Sequence, residues 1–439
     1  MSRITAIRAG KLIDGCGGPV VDNGVIVIKD KRITAVGPAE QVQIPQGATI
    51  IDEPDLTLMP GMMDLHLHLG QFNNLTFRNY RVAQWEITPE LQQLYLLFHA
   101  QLCFDRGFTT LRDEGLMSTR GLMTEHTVAV RDSIDLGINA GPRLIVAAFT
   151  VGTGSHLDLI MPRAALRNPR ATADGADEMR KLGRENLLKG ADWLKTCASG
   201  GGGTDKESPQ VRNHTQAELD AVCDEAHAQH AYCSIHCFTP EAQAMALKAG
   251  ADTIEHMVFH TDEMIERIVE AGTPVCPTLL HRTDHAIEVR ASTGTPKFTL
   301  DKMRKIQPYC FETFQAMHKA GVKIFMGTDM GPEPDMGTNA LEFEVYVKLG
   351  MTPMEAILTA TKNAAEALHM EDEIGTLEVG KRADLLLVNG NPAEDITVLQ
   401  PRENIRTVMK DGRIFVDRRK GCERDVINVD YGSWALADG

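Results

Sequence analysis

Short apolar runs and longer helical stretches alternate through the central part of the chain, and this alternation limits the possible folds more than any other feature. The strand-like runs are 109–111, 143–148, 193–196, 233–236, 253–254, 275–278 and 323–326. The helical stretches between them include 216–229, Pro240–Ala249 and Asp262–Ala271. Repeated β-then-α units over roughly 300 residues predict an α/β fold built on a (β/α)8 TIM barrel. A doubly wound parallel sheet shares this pattern and stays open as an alternative.

Both ends of the chain have a different pattern, in which short alternating runs are separated by Gly-rich or charged turns. These runs are 4–7, 24–28, 32–36 and 49–52 at one end and 383–388, Ile405–Lys410 and 413–416 at the other. Alternation of this kind is typical of antiparallel strands. We therefore expect a small β-sandwich domain formed from both chain termini, residues 1–58 plus 376–439, around a barrel at 59–375.

Composition excludes several classes of partner. The chain has 439 residues, and its 45 basic against 60 acidic side chains leave a formal charge of −15. This balance argues against nucleic acid or an anionic membrane as the main partner and leaves a small-molecule substrate. The first residues lack the apolar core of a signal peptide, and nine cysteines indicate reduced thiols. A cytoplasmic location is the expectation.

The first chemical signal is His66-Leu67-His68, which ends an apolar run that begins after the turn at Pro60-Gly61. If the run is a strand, residues two apart point the same way, so both imidazoles could bind one metal ion. A His-x-His pair is weak evidence by itself in a chain with 15 histidines. Its meaning depends on residues further along the chain.

Four further polar residues lie where strand-like runs end: Lys195, His236, His256 and Asp329. In a TIM barrel, chemistry gathers at the carboxyl ends of the strands, so we expect these side chains to converge with the histidine pair. Imidazole nitrogen and carboxylate oxygen suit Zn²⁺. An ammonium cannot bind a cation, but a lysine that has reacted with carbon dioxide carries a carbamate with two oxygens. Such a group could bridge two metal ions.

With these residues in place, the chain resembles the amidohydrolase superfamily, in particular its imidazolonepropionase-like and prolidase-like branch of Xaa-Pro or Xaa-Arg dipeptidases. The resemblance covers nearly the whole chain. It is carried by Pro-Gly-Met-Met-Asp-Leu-His-Leu-His at 60–68 and by the segments 107–113, 190–195, 254–256, 327–329 and 375–385. The order and spacing of these segments are specific to that family.

The resemblance implies a binuclear metal-dependent hydrolase of amide-type C–N bonds. His66, His68 and Asp329 would hold one divalent ion, zinc being the expected metal. His236 and His256 would hold the second ion, and carboxylated Lys195 would bridge the two. Asp329 would take a proton from a metal-activated water and pass it to the leaving nitrogen. Barrels of this family commonly associate, so a homo-oligomer is expected.

Substrate specificity is less constrained. His156, Arg212 and His214 are the candidate substrate-binding residues, and the aromatic-rich stretch 71–86 is a candidate hydrophobic lid over the site. We expect a dipeptide or N-acyl amino acid as substrate. The alternatives are small aromatic amides, carbamates or ureas, and a cyclic amide. A non-catalytic scaffold on the same fold is disfavoured because all the expected metal ligands are present.

Overall fold

The computed structural model describes residues 3–71, 87–115, 117–118, 121–122, 124–159, 172–203, 205–331 and 336–427. Apart from Gln71, the predicted aromatic lid lies outside the described residues. The strands are β1 Ile4–Leu12, β2 Val21–Lys29, β3 Arg32–Pro38, β4 Thr49–Pro60, β5 Met62–Leu67, β6 Phe108–Asp113, β7 Met117–Ser118, β8 Gly121–Leu122, β9 Arg143–Phe149, β10 Trp193–Cys197, β11 Tyr232–Cys237, β12 Thr253–His256, β13 Val275–Cys276, β14 Leu385–Asn389, β15 Ile405–Lys410 and β16 Arg413–Asp417. The helices are α1 Pro89–Asp105, α2 Thr124–Asp135, α3 His156–Leu159, α4 Ala176–Leu188, α5 Gln216–Ala228, α6 Pro240–Ala249, α7 Asp262–Ala271, α8 Asp284–Ser292, α9 Lys297–Ala320, α10 Leu341–Lys348, α11 Pro353–Thr359 and α12 Lys362–Ala367, with short 3-10 turns at Leu280–Arg282, Ile396–Leu399 and Arg402–Asn404.

The strands of the two chain ends form one seven-stranded sheet in the order β16-β15-β14-β4-β1-β2-β3. The strands expected at both ends of the chain are therefore present, and they belong to the same sheet. The expected β-sandwich is not confirmed, because these strands make one continuous hydrogen-bonded sheet. The reason is the length of β4, which pairs in parallel with β1 along one edge and antiparallel with β14 along the other. A single strand thus joins the two termini edge to edge.

The central strands form a nearly closed barrel of seven parallel strands in the order β13-β12-β11-β10-β9-β6-β5. The remaining gap is bridged by the segment that was expected to be the eighth strand. It makes isolated parallel bridges at Val275↔Ile324 and Leu67↔Met330. Within this segment Gly327 packs directly on the barrel wall: a Cβ there would lie 2.4 Å from Cys276 Sγ and 2.5 Å from His66 Cβ.

The helices around the barrel begin and end where local chemistry predicts. Thr215, Thr239 and Thr261 cap α5, α6 and α7 by accepting a backbone N–H of the first turn. Gly250 and Gly272 end α6 and α7 in the left-handed conformation. The predicted helices at these positions are confirmed. Among the helices of the described residues, none combines the length and the apolar composition needed to cross a membrane.

The barrel and the terminal sheet are joined by a buried carboxylate. Asp105, at the end of α1, is 3% exposed. It accepts hydrogen bonds from Arg402 Nε at 2.5 Å and from Arg418 Nη2 at 2.6 Å. Both arginines belong to the C-terminal part of the chain, so this cluster fixes the position of the sheet against the barrel.

We predict that Asp105→Asn lowers the free energy of unfolding by about 3 kcal/mol, because Arg402 and Arg418 lose their buried counter-charge and keep only the partly exposed Asp425 as an acidic partner. Urea unfolding measures the change. Asp22→Asn is the matched control, since Asp22 forms an exposed pair with Lys11 at 3.2 Å and should cost less than about 1 kcal/mol. Equal losses in the two variants would contradict the assignment.

Candidate metal centre

A buried ionic layer lies beneath the strand ends of the barrel. Arg112, on β6, is fully buried and stacks over Trp193 with its guanidinium carbon 4.5 Å from the ring centroid. Its Nε is 2.6 Å from Glu114 Oε1, and its Nη2 is 2.8 Å from Glu255 Oε1. Arg112 Nε also donates to the carbonyl of Leu65 at 2.7 Å. The guanidinium therefore ties three barrel strands together at one level.

Lys195 lies directly above this layer. It is 1% exposed, and its Nζ is 2.7 Å from Glu114 Oε2. Ser234 Oγ donates to the same carboxylate oxygen at 2.9 Å. Burial raises the pKa of Glu114, but the charges of Arg112 and Lys195 outweigh it and hold that pKa below its ordinary value. Glu114 is thus the residue that positions the lysine side chain.

An irregularity in β5 brings His66 into the barrel interior. The pairing register between β5 and β6 shifts between Asp64 and Leu67. Leu65 packs in the interior cluster around Trp193, and its neighbour His66 also reaches inward. His66 Nδ1 donates to Glu255 Oε2 at 2.6 Å. This contact leaves Nε2 of His66 facing Asp329 Oδ1 at 3.6 Å.

His68, one residue after the end of β5, contacts the same carboxylate of Asp329. Its Nδ1 is 3.1 Å from the carbonyl oxygen of Gly115, and its Nε2 is 3.3 Å from Asp329 Oδ1. Burial lowers the pKa of His68, yet the hydrogen bond and charge of Asp329 outweigh it and raise the pKa overall. Burial opposes ionisation of Asp329, but His281 and His68 hold its pKa well below the ordinary range. The aspartate is therefore a carboxylate.

His256 and His236 complete the group from β12 and β11. The ring of His256 lies 4.7 Å from that of His66 and 4.5 Å from that of His236, centroid to centroid. Thr278 Oγ1 contacts Nδ1 of His256 at 2.8 Å. Burial and the neighbouring histidines lower the pKa of His256 well below its ordinary value. Burial and the charge of His156 do the same for His236. Neutral imidazole is the form that binds a metal ion.

This donor set fits a divalent cation. His66, His256 and Asp329 each offer a ligand atom, and these atoms lie within 4.8 Å of one another. Donors that share one zinc ion at about 2.1 Å stand up to about 4.2 Å apart, so small side-chain movements suffice. The orienting contacts at Nδ1 of His66, His68 and His256 are the kind that metal-binding histidines use in proteins.

The three candidate substrate-binding residues occupy different environments. His156 stacks on His236, a predicted metal ligand, with ring centroids 4.4 Å apart. His214 is buried, and both of its ring nitrogens contact backbone groups: Nε2 accepts from Gly152 N at 2.7 Å and Nδ1 binds the carbonyl of Cys197. Arg212 has an exposed side chain and forms a backbone bridge with Ser199. The structure thus brings His156 to the centre, whereas His214 supports the loop around it.

Several residues of the centre could not be assigned from the sequence. Glu255 and His256 are adjacent in β12, where alternation would place them on opposite faces. Both reach the interior because His256 has a positive φ of 76°. Glu114 follows an unremarkable Arg-Asp pair in the sequence. His281 Nε2 is 3.3 Å from Asp329 Oδ2. No local pattern marks these contacts.

The comparison with known proteins agrees with this geometry. Residues 57–415 match the model of the amidohydrolase family, and the chain belongs to that family. It is 29% identical to ochratoxinase of Aspergillus niger over 94% of this chain and 87% of that protein. It is 27% identical to imidazolonepropionase of Sphingopyxis alaskensis over 85% of this chain and 89% of that protein.

A solved structure of similar fold is that of a Xaa-Pro dipeptidase with methionine bound in its active site. It superposes with a TM-score of 0.84 at 33% identity, over 94% of this chain and 99% of that one. The predicted resemblance to the imidazolonepropionase-like and prolidase-like branch is confirmed. The protein is a hydrolase that acts on carbon–nitrogen bonds.

We predict that Thr278→Val weakens zinc binding by about 10–100-fold, because it removes the hydroxyl that orients His256 while keeping the side-chain shape. Competition titration with a zinc chelator measures the affinity. Thr407→Val is the control, since Thr407 is equally buried but lies in β15 of the terminal sheet. Unchanged affinity in Thr278→Val would show that the contact with His256 plays no part in metal binding.

Proposed function

We propose that the protein is a binuclear metal-dependent amidohydrolase of dipeptides or N-acyl amino acids. The observation that carries the proposal is the group of mutually close ligand atoms on His66, His256 and Asp329. His66, His68 and Asp329 would hold one divalent ion, and His236 and His256 the other. Zinc suits this set of nitrogen and carboxylate donors.

Lys195 would bridge the two ions as a carbamate. Its ammonium is paired with Glu114, so the interior charges of Lys195, Arg112, Glu114 and Glu255 are balanced in this form. Carboxylation would replace a positive charge by a negative one beside Glu114. Two divalent cations would compensate that change, which couples the carbamate to metal loading.

Bound divalent ions would acidify a water molecule and polarise the scissile carbonyl. Asp329 is the group positioned to transfer the proton of this water. One of its carboxylate oxygens faces His66 and His68, and the other lies 3.3 Å from His281 Nε2. An ionised Asp329 would take the proton of the attacking water and deliver it to the leaving nitrogen.

The substrate class rests on the similarity to the Xaa-Pro dipeptidase structure and on His156. The ring of His156 lies against His236, where a hydrogen bond to a substrate beside the metal ions is possible. Arg212, at the surface of the same loop region, is proposed to meet the substrate carboxylate. His214 would contribute by holding the loop in place.

A second candidate substrate class is a small aromatic amide, carbamate or urea. The observation in its favour is that aromatic rings border the centre. Phe149 lies 5.9 Å from the ring of His68, and Phe238 stacks 4.5 Å from the ring of His236, centroid to centroid. Both phenylalanines are buried and would pack against an aromatic substituent.

The proposals for the barrel, its bounds and the assembly follow the pattern of the same family. We propose that the barrel is a (β/α)8 barrel in which the bridging segment 323–330 stands as the eighth strand, and that it extends over 59–375. A homo-oligomer in the cytoplasm, acting on a small molecule, completes the proposal.

We predict that the native protein binds two divalent ions per chain and that Lys195→Ala binds fewer, because the bridging ligand is lost. Elemental analysis of protein loaded with zinc in bicarbonate buffer measures the stoichiometry. Lys181→Ala, which removes an exposed lysine of α4, should keep both ions. A native protein without stoichiometric metal would refute the metal centre, and a Lys195→Ala variant with two ions would refute the carbamate.

We predict that Met-Pro is hydrolysed at least about 100-fold more efficiently than Met-prolinamide, because a site for dipeptides recognises the free carboxylate. The ratio of the two kcat/KM values measures the preference. An anilide and a phenylurea are assayed beside them. Equal rates for the acid and the amide would contradict the dipeptide proposal, and faster hydrolysis of the aromatic compounds would support the second candidate.

A further inference from the structure

Two active-site loops are tied together by side chains from one of them. The β9 loop is defined as residues 150–156 and the β10 loop as residues 198–214, of which residue 204 lies outside the description. His214 Nε2 accepts the N–H of Gly152 at 2.7 Å, and Asn213 Oδ1 accepts the N–H of His156 at 2.8 Å. Glu207 makes a third contact, with Nδ1 of His156. The two loops therefore form one unit.

Glu207 is the most highly connected of these side chains. Its side chain is 1% exposed. Its carboxylate accepts the N–H of Gly201 at 2.5 Å and that of Gly203 at 2.9 Å, in addition to the contact with His156. A buried carboxylate needs such donors to offset the loss of water. The same group thus shapes the glycine stretch and holds the imidazole.

The ring of His156 is closely confined by its neighbours. It stacks on His236, a proposed metal ligand, at 4.4 Å between ring centroids and an interplanar angle of 30°. Gly201 packs against the ring near Cε1, where a Cβ would lie 2.4 Å from Cε1 and 2.6 Å from Nδ1. Glycine at position 201 is required by this close approach. The ring can therefore move little without breaking the contact with Glu207.

We propose that Glu207 is a positioning residue that acts through His156. The carboxylate of Glu207 accepts a hydrogen bond from Nδ1 of His156. Nε2 is then the ring nitrogen that is left to contact a substrate. Among the described residues, Nε2 of His156 has no hydrogen-bond partner. The inference rests on the proposed function in that His156 serves as a substrate contact. It adds that the glycine stretch and the β9 loop depend on one carboxylate for their arrangement around the metal ions.

A double-mutant cycle on the zinc-loaded full chain tests the proposal, with Met-Pro as substrate. Glu207→Gln should lower kcat/KM by about 10–100-fold, and most of this loss should disappear in a His156→Ala background, where only its effect on the glycine stretch is left. Glu218→Gln is the matched control, because Glu218 also accepts backbone N–H groups, those of Gly175 and Thr215, but makes no contact with His156 or His236 among the described residues. Its kcat/KM should be unchanged. Additive losses in the double variant, or equal losses in the two glutamine variants, would overturn the proposal.

Hydrogen exchange gives a readout that does not depend on the substrate. In Glu207→Gln, amides of the β9 loop and of the β10 loop should both exchange about tenfold faster. Faster exchange confined to the β10 loop would overturn the coupling between the loops. If the native protein does not hydrolyse Met-Pro, the proposed function fails by itself and the exchange result still decides the role of Glu207.

The variant Gly201→Ala provides a second test if Glu207→Gln does not fold. The added Cβ would displace the ring of His156 while leaving the Glu207 side chain in place. The variant should therefore lose kcat/KM to a similar extent as His156→Ala, and its zinc stoichiometry should be retained. A fully active Gly201→Ala variant would overturn the proposal.

Discussion

The guanidinium of Arg112 is the interaction on which the candidate centre depends. It is fully buried between the ring of Trp193 and the carboxylates of Glu114 and Glu255. Each carboxylate in turn holds one residue of the centre: Glu114 binds Lys195, and Glu255 binds His66. A buried charge without a partner is costly, so these four contacts stabilise one arrangement and exclude others. The ionic layer thereby fixes the orientation of the groups above it.

The electrostatics of the centre follow mainly from burial. Burial and the charges of neighbouring side chains lower the pKa values of His236 and His256 and favour neutral imidazole there, whereas the contact with Asp329 raises the pKa of His68. Asp329 stays ionised among them. Neutral nitrogen donors beside an ionised carboxylate are what a divalent cation requires. The centre thus offers candidate ligands for a divalent ion.

The predicted substrate-binding residues in the loops make different contacts and therefore have different roles. His156 stacks on the ring of His236, whereas His214 uses both ring nitrogens to contact backbone groups. A histidine near an active site is thus not interchangeable with its neighbours: its role depends on which of its nitrogens is already engaged. Glu207, which the sequence did not single out, connects the two loops and deepens the proposed role of His156.

Local sequence determined most of the helices and strands. Threonine caps and glycine ends placed α5, α6 and α7, and the alternating pattern placed most strands, because such signals act within a few residues. The sequence also predicted six ligand residues from their places at strand ends, and their role as metal ligands stays a prediction. Tertiary structure decided the rest. The terminal strands became one sheet through β4, the eighth strand became a bridging segment, and Glu114, Glu255 and Glu207 took their partners from distant parts of the chain. Contacts such as that of Glu255 with His66, 189 residues apart, depend on barrel closure and on the positive φ of His256, and neither leaves a local pattern in the sequence.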